Sequence, residues 1–146
     1  MHNSEIEILL VEDNFHDAEL TIRALRKTNI TNKIIHLKDG IEAIEFLHGN
    51  GKQEEKSVTN MPKLILLDLN MPKLDGLEVL KLIKENPKTK IIPVIILTSS
   101  KESPDIQKAF LLGANSYLVK PVAFEGFLKS INDIGYYWLI SNQHIA

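Results

Sequence analysis

Four consecutive aliphatic residues, Leu64-Ile65-Leu66-Leu67, run straight into Asp68 and then into Leu69-Asn70-Met71-Pro72. A run this short and this apolar reads as a β-strand buried on both faces, the pattern of an interior strand in a parallel sheet covered by helices. Asp68 then falls at the C-terminal end of that strand. In an open parallel α/β sheet, ligands bind outside the carboxyl ends of the strands. A plain turn-forming aspartate is the competing reading beside Met71-Pro72 and Asp75-Gly76, and only the rest of the chain separates the two.

The flanking sequence repeats the pattern. Residues 5–11 (EIEILLV) form a strand, and Asp13 or Asn14 can cap the helix that follows, where Phe15, Ala18, Ile22 and Leu25 recur at helical spacing up to about Lys27. A second strand covers 33–37, and Asp39-Gly40 turns into a helix carrying Ile41, Ala43, Ile44, Phe46 and Leu47. Residues 48–60 are polar with few apolar anchors and read as a loop. Their Gly-Asn-Gly-Lys is not a phosphate loop, because the spacing and the final Ser/Thr are missing. After the central strand, Asp75-Gly76 opens a helix with Leu77, Leu80 and Ile83 facing inward, ended by Asn86-Pro87. A fourth strand is expected over 91–97, with Pro93 near its start where a missing donor is tolerated. Ser103-Pro104 starts a helix that ends at Gly113, a fifth strand runs from Ser116 to Val119, and a last helix runs from about Ala123 to Ile140. Strand then helix, five times, implies an α/β fold: a parallel five-stranded sheet between two helix layers.

The bulk numbers fit one globular domain over 1–146, with 44% hydrophobic and 25% charged residues. A net charge of −2 and the absence of a Lys/Arg cluster argue against a nucleic-acid or membrane partner. With no cysteine, disulfides, thiolate metal sites and a Cys nucleophile are excluded. The N-terminus lacks the pattern of a signal peptide and no apolar run approaches the ~20 residues that span a bilayer. A cytoplasmic location is expected.

The strand ends deliver Glu12, Asp13, Asp68, Thr98 and Lys120 to one edge. Crowded carboxylates repel, and at least one pKa should rise unless a cation intervenes. Oxygen ligands suit Mg²⁺, and an aspartate can act as nucleophile to form an aspartyl phosphate. Phosphoryl transfer needs a metal, a fixed cation and hydrogen-bond donors. Thr98 offers a donor and Lys120 the cation. His36, within the second strand, reads as structural, and His16 and Asp17 as a solvated first helical turn.

These stretches resemble the response-regulator receiver domains of two-component systems, of the chemotaxis-regulator type. The resemblance rests on LLVEDN at 9–14, LLDLNMPKLDG at 66–76, VIILTSS at 94–100 and GANSYLVKP at 113–121, in order and at the right spacing. It implies a flavodoxin-like (βα)5 three-layer sandwich of strand order 2-1-3-4-5. It also implies roles. Asp68 would accept a phosphoryl group from the phosphohistidine of a sensor histidine kinase. Glu12, Asp13 and Asp68 would hold Mg²⁺, directly or through water, with the Asn70 backbone carbonyl completing the site. Thr98 would bond a phosphoryl oxygen, and Lys120 would pair with Asp68 and then with the phosphate. Tyr117 would be the aromatic that rotates inward when Thr98 moves, and Lys120-Pro121 would be a cis peptide. Asn70 and Ser100 flank the site, at places that tune phosphate lifetime in the family.

The long 48–60 segment, NFHDAEL in the first helix and the aromatic INDIGYYWLI near the C-terminus are similar to the stand-alone regulators partnered with phytochrome-type histidine kinases. Phe15 stands where members often have Pro. No output domain is expected, so the signal would leave through protein contacts of the surface formed by the helix after Pro104, the fifth strand and the last helix, towards a downstream partner the sequence does not identify. Tyr136, Tyr137 and Trp138 either anchor a homodimer or pack back on the chain. The competing enzyme reading is an Asp-nucleophile, Mg²⁺-dependent phosphatase, but such enzymes need an aspartate as general acid where this chain has Asn70. The expectation is therefore a phosphoacceptor switch that catalyses its own phosphotransfer and dephosphorylation rather than an enzyme acting on other substrates.

Overall fold

The computed structural model describes residues 8–28, 33–49 and 61–134. In chain order the elements are β1 (Ile8–Val11), α1 (Phe15–Arg26), β2 (Ile34–Leu37), α2 (Gly40–His48), β3 (Leu64–Asp68), α3 (Gly76–Glu85), β4 (Val94–Thr98), α4 (Pro104–Leu111), β5 (Ser116–Val119) and α5 (Phe124–Asp133). All strand pairs are parallel and the sheet order is β2-β1-β3-β4-β5. This is the parallel α/β sheet that the alternating pattern predicts, in the flavodoxin-like order that the resemblance implies. The expected strand start at residue 5, most of the 48–60 segment, the last helix beyond Ile134, and Tyr136, Tyr137 and Trp138 lie outside the described residues.

Side-chain alternation along each strand sorts the core into two faces. Leu9, Val11, Ile65, Leu67, Val94 and Ile96 point to one face, where α2, α3 and α4 cover them with Ala43, Leu47, Val79, Leu80, Ile83 and Ala109. Ile8, Leu10, Leu64, Leu66, Ile95 and Leu97 point to the other, against Ala18 and Leu25 of α1 and Phe127 and Ile131 of α5. Every residue of β3 is buried, as the aliphatic run requires. Each such side chain contributes about 1.5–3 kcal/mol by leaving water, so the central strand is fixed from both sides.

Local signals set the helix starts. Asn14 caps α1 and accepts from the Asp17 N–H at 2.8 Å, which decides between Asp13 and Asn14 and frees the Asp13 carboxylate. Asp39, Asp75 and Ser103 cap α2, α3 and α4, with Pro104 at the start of α4 as expected. The fourth strand departs from expectation. Apolar composition extends it to Ile91, but β4 begins at Val94 and Ile91 is exposed. Ile91-Ile92 instead closes a turn, with the Ile92 N–H donating to Thr89 O at 3.0 Å. Pro93 has no N–H to give the ladder, and the Asn115 side chain caps the first strand amide at Val94.

That N-terminal edge of the sheet holds a half-buried lysine. Lys84 Nζ donates to the carbonyls of Lys90 at 3.0 Å and Ile92 at 2.8 Å, and burial pulls its pKa down. Nearby, His48 Nε2 lies 3.3 Å from Thr89 Oγ1, which in turn donates to Ile83 O at 2.7 Å.

Candidate functional site

Sheet register assembles the opposite edge. Val11 pairs with Leu67, so Glu12 emerges beside Asp68, the last residue of β3. Thr98 pairs with Val119, so Lys120 emerges one step beyond, its N–H donating to Thr98 O at 2.8 Å. Glu12, Asp13 and Asp68 each place one carboxylate oxygen within 4.8 Å of the others, with Glu12 and Asp68 buried and Asp13 exposed. The sequence-predicted residues Glu12, Asp13, Asp68 and Lys120 therefore converge in space.

Lys120 Nζ lies 3.2 Å from Glu12 Oε1, 3.1 Å from Asp17 Oδ2 and 3.5 Å from Asp68 Oδ2. The contacts to Glu12 and Asp17 have hydrogen-bond geometry. Burial is the largest influence on Glu12, and with the hydrogen bond to Asp68 and its charge it pushes the Glu12 carboxyl up to about 7. The Asn14 N–H and Lys120 act the other way without cancelling it. Burial also raises Asp68, offset in part by the Glu12 hydrogen bond, Lys120 and the Asn70 N–H. Burial works to lower Lys120, but Asp68, Asp17 and Glu12 together outweigh it and raise the ammonium.

The turn after Asp68 is held from two directions. The Asn70 N–H donates to Asp68 Oδ1 at 3.2 Å, and the Gly76 N–H donates to Leu69 O at 3.1 Å. A Cβ on Gly76 would come within 2.5 Å of the Asp68 carbonyl oxygen, so only glycine lets α3 start this close to β3. Lys73 takes a left-handed backbone, φ 66°, to complete the turn. Thr98 is buried at the end of β4, and its hydroxyl donates to Ser100 O at 3.2 Å. Tyr117 is half-buried on β5 and meets Phe110 edge-on at 6.3 Å between ring centres. Lys120-Pro121 is cis.

Two residues, Asp17 and Gly76, carry more than the sequence suggested, and His36 is structural as expected. Asp17 is a partner of Lys120 rather than a solvated surface carboxylate. Its only sequence signal was a place in the first turn of a helix leaving the acidic pair. Gly76 is a packing requirement, not just a helix opener. His36 Nε2 donates to the Glu12 carbonyl at 2.7 Å and meets Phe15 edge-on, tying β2 to the β1–α1 junction.

A family profile described as the response regulator receiver domain matches residues 8–132. The chain belongs to the response regulator receiver domain family. This receiver is 40% identical over 136 residues to the probable methanogenesis regulatory protein FilR2 of Methanothrix harundinacea, covering 93% of this chain and 85% of that protein. It is 42% identical over 132 residues to response regulator Rcp1 of Synechocystis, covering 90% and 88%. Among solved structures it resembles the bacteriophytochrome response regulator AtBRR, with TM-score 0.81, 43% identity and coverage of 93% of this chain and 96% of that one. It also resembles an Mn²⁺-bound form of Rcp1, with TM-score 0.72, 42% identity and coverage of 92% and 94%. Among the described residues of the receiver, no helix is long and apolar enough to cross a membrane.

Proposed function

We propose that this receiver is a phosphoacceptor switch, with Asp68 taking a phosphoryl group from a phosphohistidine of a sensor histidine kinase. The observation that carries the reading is a buried Asp68 carboxylate 3.5 Å from Lys120 Nζ, with the oxygens of Glu12 and Asp13 beside it. In the transfer an Asp68 carboxylate oxygen forms the new P–O bond as the P–N bond of the phosphohistidine breaks, and the donor imidazole leaves with the electron pair of that bond. The Asn70 N–H holds the Asp68 side chain in one orientation.

An all-oxygen ligand set fits a hard divalent cation, and the raised Glu12 marks a pair of buried carboxylates short of positive charge. Glu12, Asp13 and Asp68 are the residues that would hold Mg²⁺, with the Asn70 carbonyl completing the set. When bound, the ion neutralises charge on the phosphoryl oxygens. The Mn²⁺-bound form of Rcp1 agrees with a divalent site in a relative. Lys120 supplies the fixed cation on the other side of Asp68. Thr98 exchanges its bond to Ser100 for one to the new phosphoryl oxygen, and Tyr117 fills the space this vacates. The altered surface of α4, β5 and α5 then carries the signal to a downstream protein.

The named relatives support a phytochrome-type kinase as donor, since AtBRR is a bacteriophytochrome response regulator. FilR2, of similar identity, is named for methanogenesis. A homodimer through the last helix rests on the aromatic sequence at 136–138 alone. The phosphatase reading is not favoured: Asn70 occupies the general-acid position and offers Asp68 a backbone N–H instead.

Labelling with acetyl phosphate, or occupancy by beryllofluoride, in the presence of Mg²⁺ tests the proposal. Modification at Asp68 that is lost in Asp68→Asn is the expected result. Equal labelling of the variant would refute it, and repeated turnover of small phosphate esters would favour the phosphatase.

A further inference from the structure

Lys120 is a shared cation. Its ammonium has three N–H donors and three carboxylates around it, and the shortest contact, 3.1 Å, goes to Asp17 rather than to the acceptor. Asp17 stands apart from the other two. Its oxygens are not part of the Glu12, Asp13 and Asp68 group, so it is not one of the candidate metal ligands. It lies on α1, where its own N–H is bound by the Asn14 side chain at 2.8 Å and its neighbour Ala18 is buried in the core. Its carboxylate is thus carried on a rigid first turn, where negative charge is favoured by the helix N-terminus. It reaches across from residue 17 to residue 120 and joins the ammonium to α1 as well as to β3.

We infer that Asp17 is a positioning residue for Lys120: it competes with a free Asp68 carboxylate for the ammonium and gives it up when an anion arrives at Asp68. The inference rests on the phosphoacceptor reading. A phosphoryl group raises the charge at Asp68 to about −2, and the ammonium must then move towards it. Every interaction that Lys120 gives up to Asp17 in that move is subtracted from anion affinity. Asp17 therefore sets how readily the switch is thrown, without touching the phosphoryl group or the metal.

The sign of this effect separates it from a merely structural role. Damage to the first turn of α1 would weaken anion binding, whereas loss of a competitor strengthens it. In saturating Mg²⁺, beryllofluoride titrations followed by ¹⁹F NMR should show Asp17→Asn binding about five-fold more tightly than wild type, the scale of one partly exposed ion pair of about 1 kcal/mol. In a Lys120→Ala background the same substitution should change nothing. Without metal, the unfolding midpoints of Asp17→Asn, Lys120→Ala and the double variant should fail to add, because the two side chains are coupled. Unchanged or weaker beryllofluoride binding by Asp17→Asn, a gain that persists without Lys120, or additive midpoints would each overturn the inference. Wild-type protein that takes up no beryllofluoride defeats the reading of Asp68 itself, while wild-type uptake with an unmoved Asp17→Asn defeats this inference alone.

Discussion

Two lysines lie half-buried at opposite edges of one sheet, and the protein treats their charges in opposite ways. Lys84 donates to two neutral carbonyls, so desolvation prevails and its pKa falls. Lys120 meets three carboxylates, and its pKa rises despite comparable burial. Burial of a charged group therefore does not mark a working site. The partners do: carbonyls that need a donor make a structural staple, whereas a surplus of buried carboxylate makes a place where charge has to be managed.

The contrast can be broken most sharply by neutralising each lysine in turn. Lys120→Met should slow labelling of Asp68 by roughly 10²-fold, the scale of losing one fixed electrostatic partner in a water-poor site. Lys84→Met should leave the labelling rate unchanged, and a parallel fall would erase the distinction. The next effect concerns protons at the carboxylate edge. Because Glu12 keeps its proton up to about 7, Mg²⁺ must displace it, and affinity measured by calorimetry should fall about ten-fold per pH unit below that value. A flat profile between about pH 5.5 and 7 would show that Glu12 takes no part in holding the ion.

The smaller effects belong to the other edge. Denaturant unfolding of Lys84→Met should show a loss of about 1 kcal/mol, from carbonyls left without their donor. His48 is lowered below 6.5 by burial and by the charge of Lys88, so its charged form is disfavoured in the folded chain. Its stabilising share is complete above that ordinary value and is lost as pH falls below it, because the unfolded chain then binds the proton more readily. Between about pH 8 and 5.5, wild type should lose roughly a few tenths of a kcal/mol more than His48→Gln, a modest figure because solvent screens the group.

Much of the fold was readable in the chain itself, for a physical reason. Parallel strands buried on both faces must be short and aliphatic, and 8–11, 64–67 and 94–97 are. Caps and breakers then marked the helix starts at Asp39, Asp75 and Ser103. The same reasoning overran at Ile91-Ile92, where apolar composition concealed a turn dictated by Pro93. The convergence of Glu12, Asp13, Asp68 and Lys120 was readable because strand ends share an edge, whatever their order in the chain. Asp17 was not: its partner is 103 residues away, and helical periodicity says which face a residue occupies but not what waits across from it. Gly76 was legible as a turn residue, but its closeness to the Asp68 carbonyl depends on how α3 is set against β3.

Gly76 has one more consequence. With no room for even a methyl group between Gly76 and the Asp68 carbonyl, any side chain there would push α3 away from β3. The Thr98–Ser100 turn has hydroxyl bonds of 3.2 and 3.4 Å beside its backbone bonds from Lys120 N–H to Thr98 O at 2.8 Å and from Ser103 N–H to Ser100 O at 3.2 Å. On the proposed reading of Asp68, the change at the site would leave through β4 towards Tyr117.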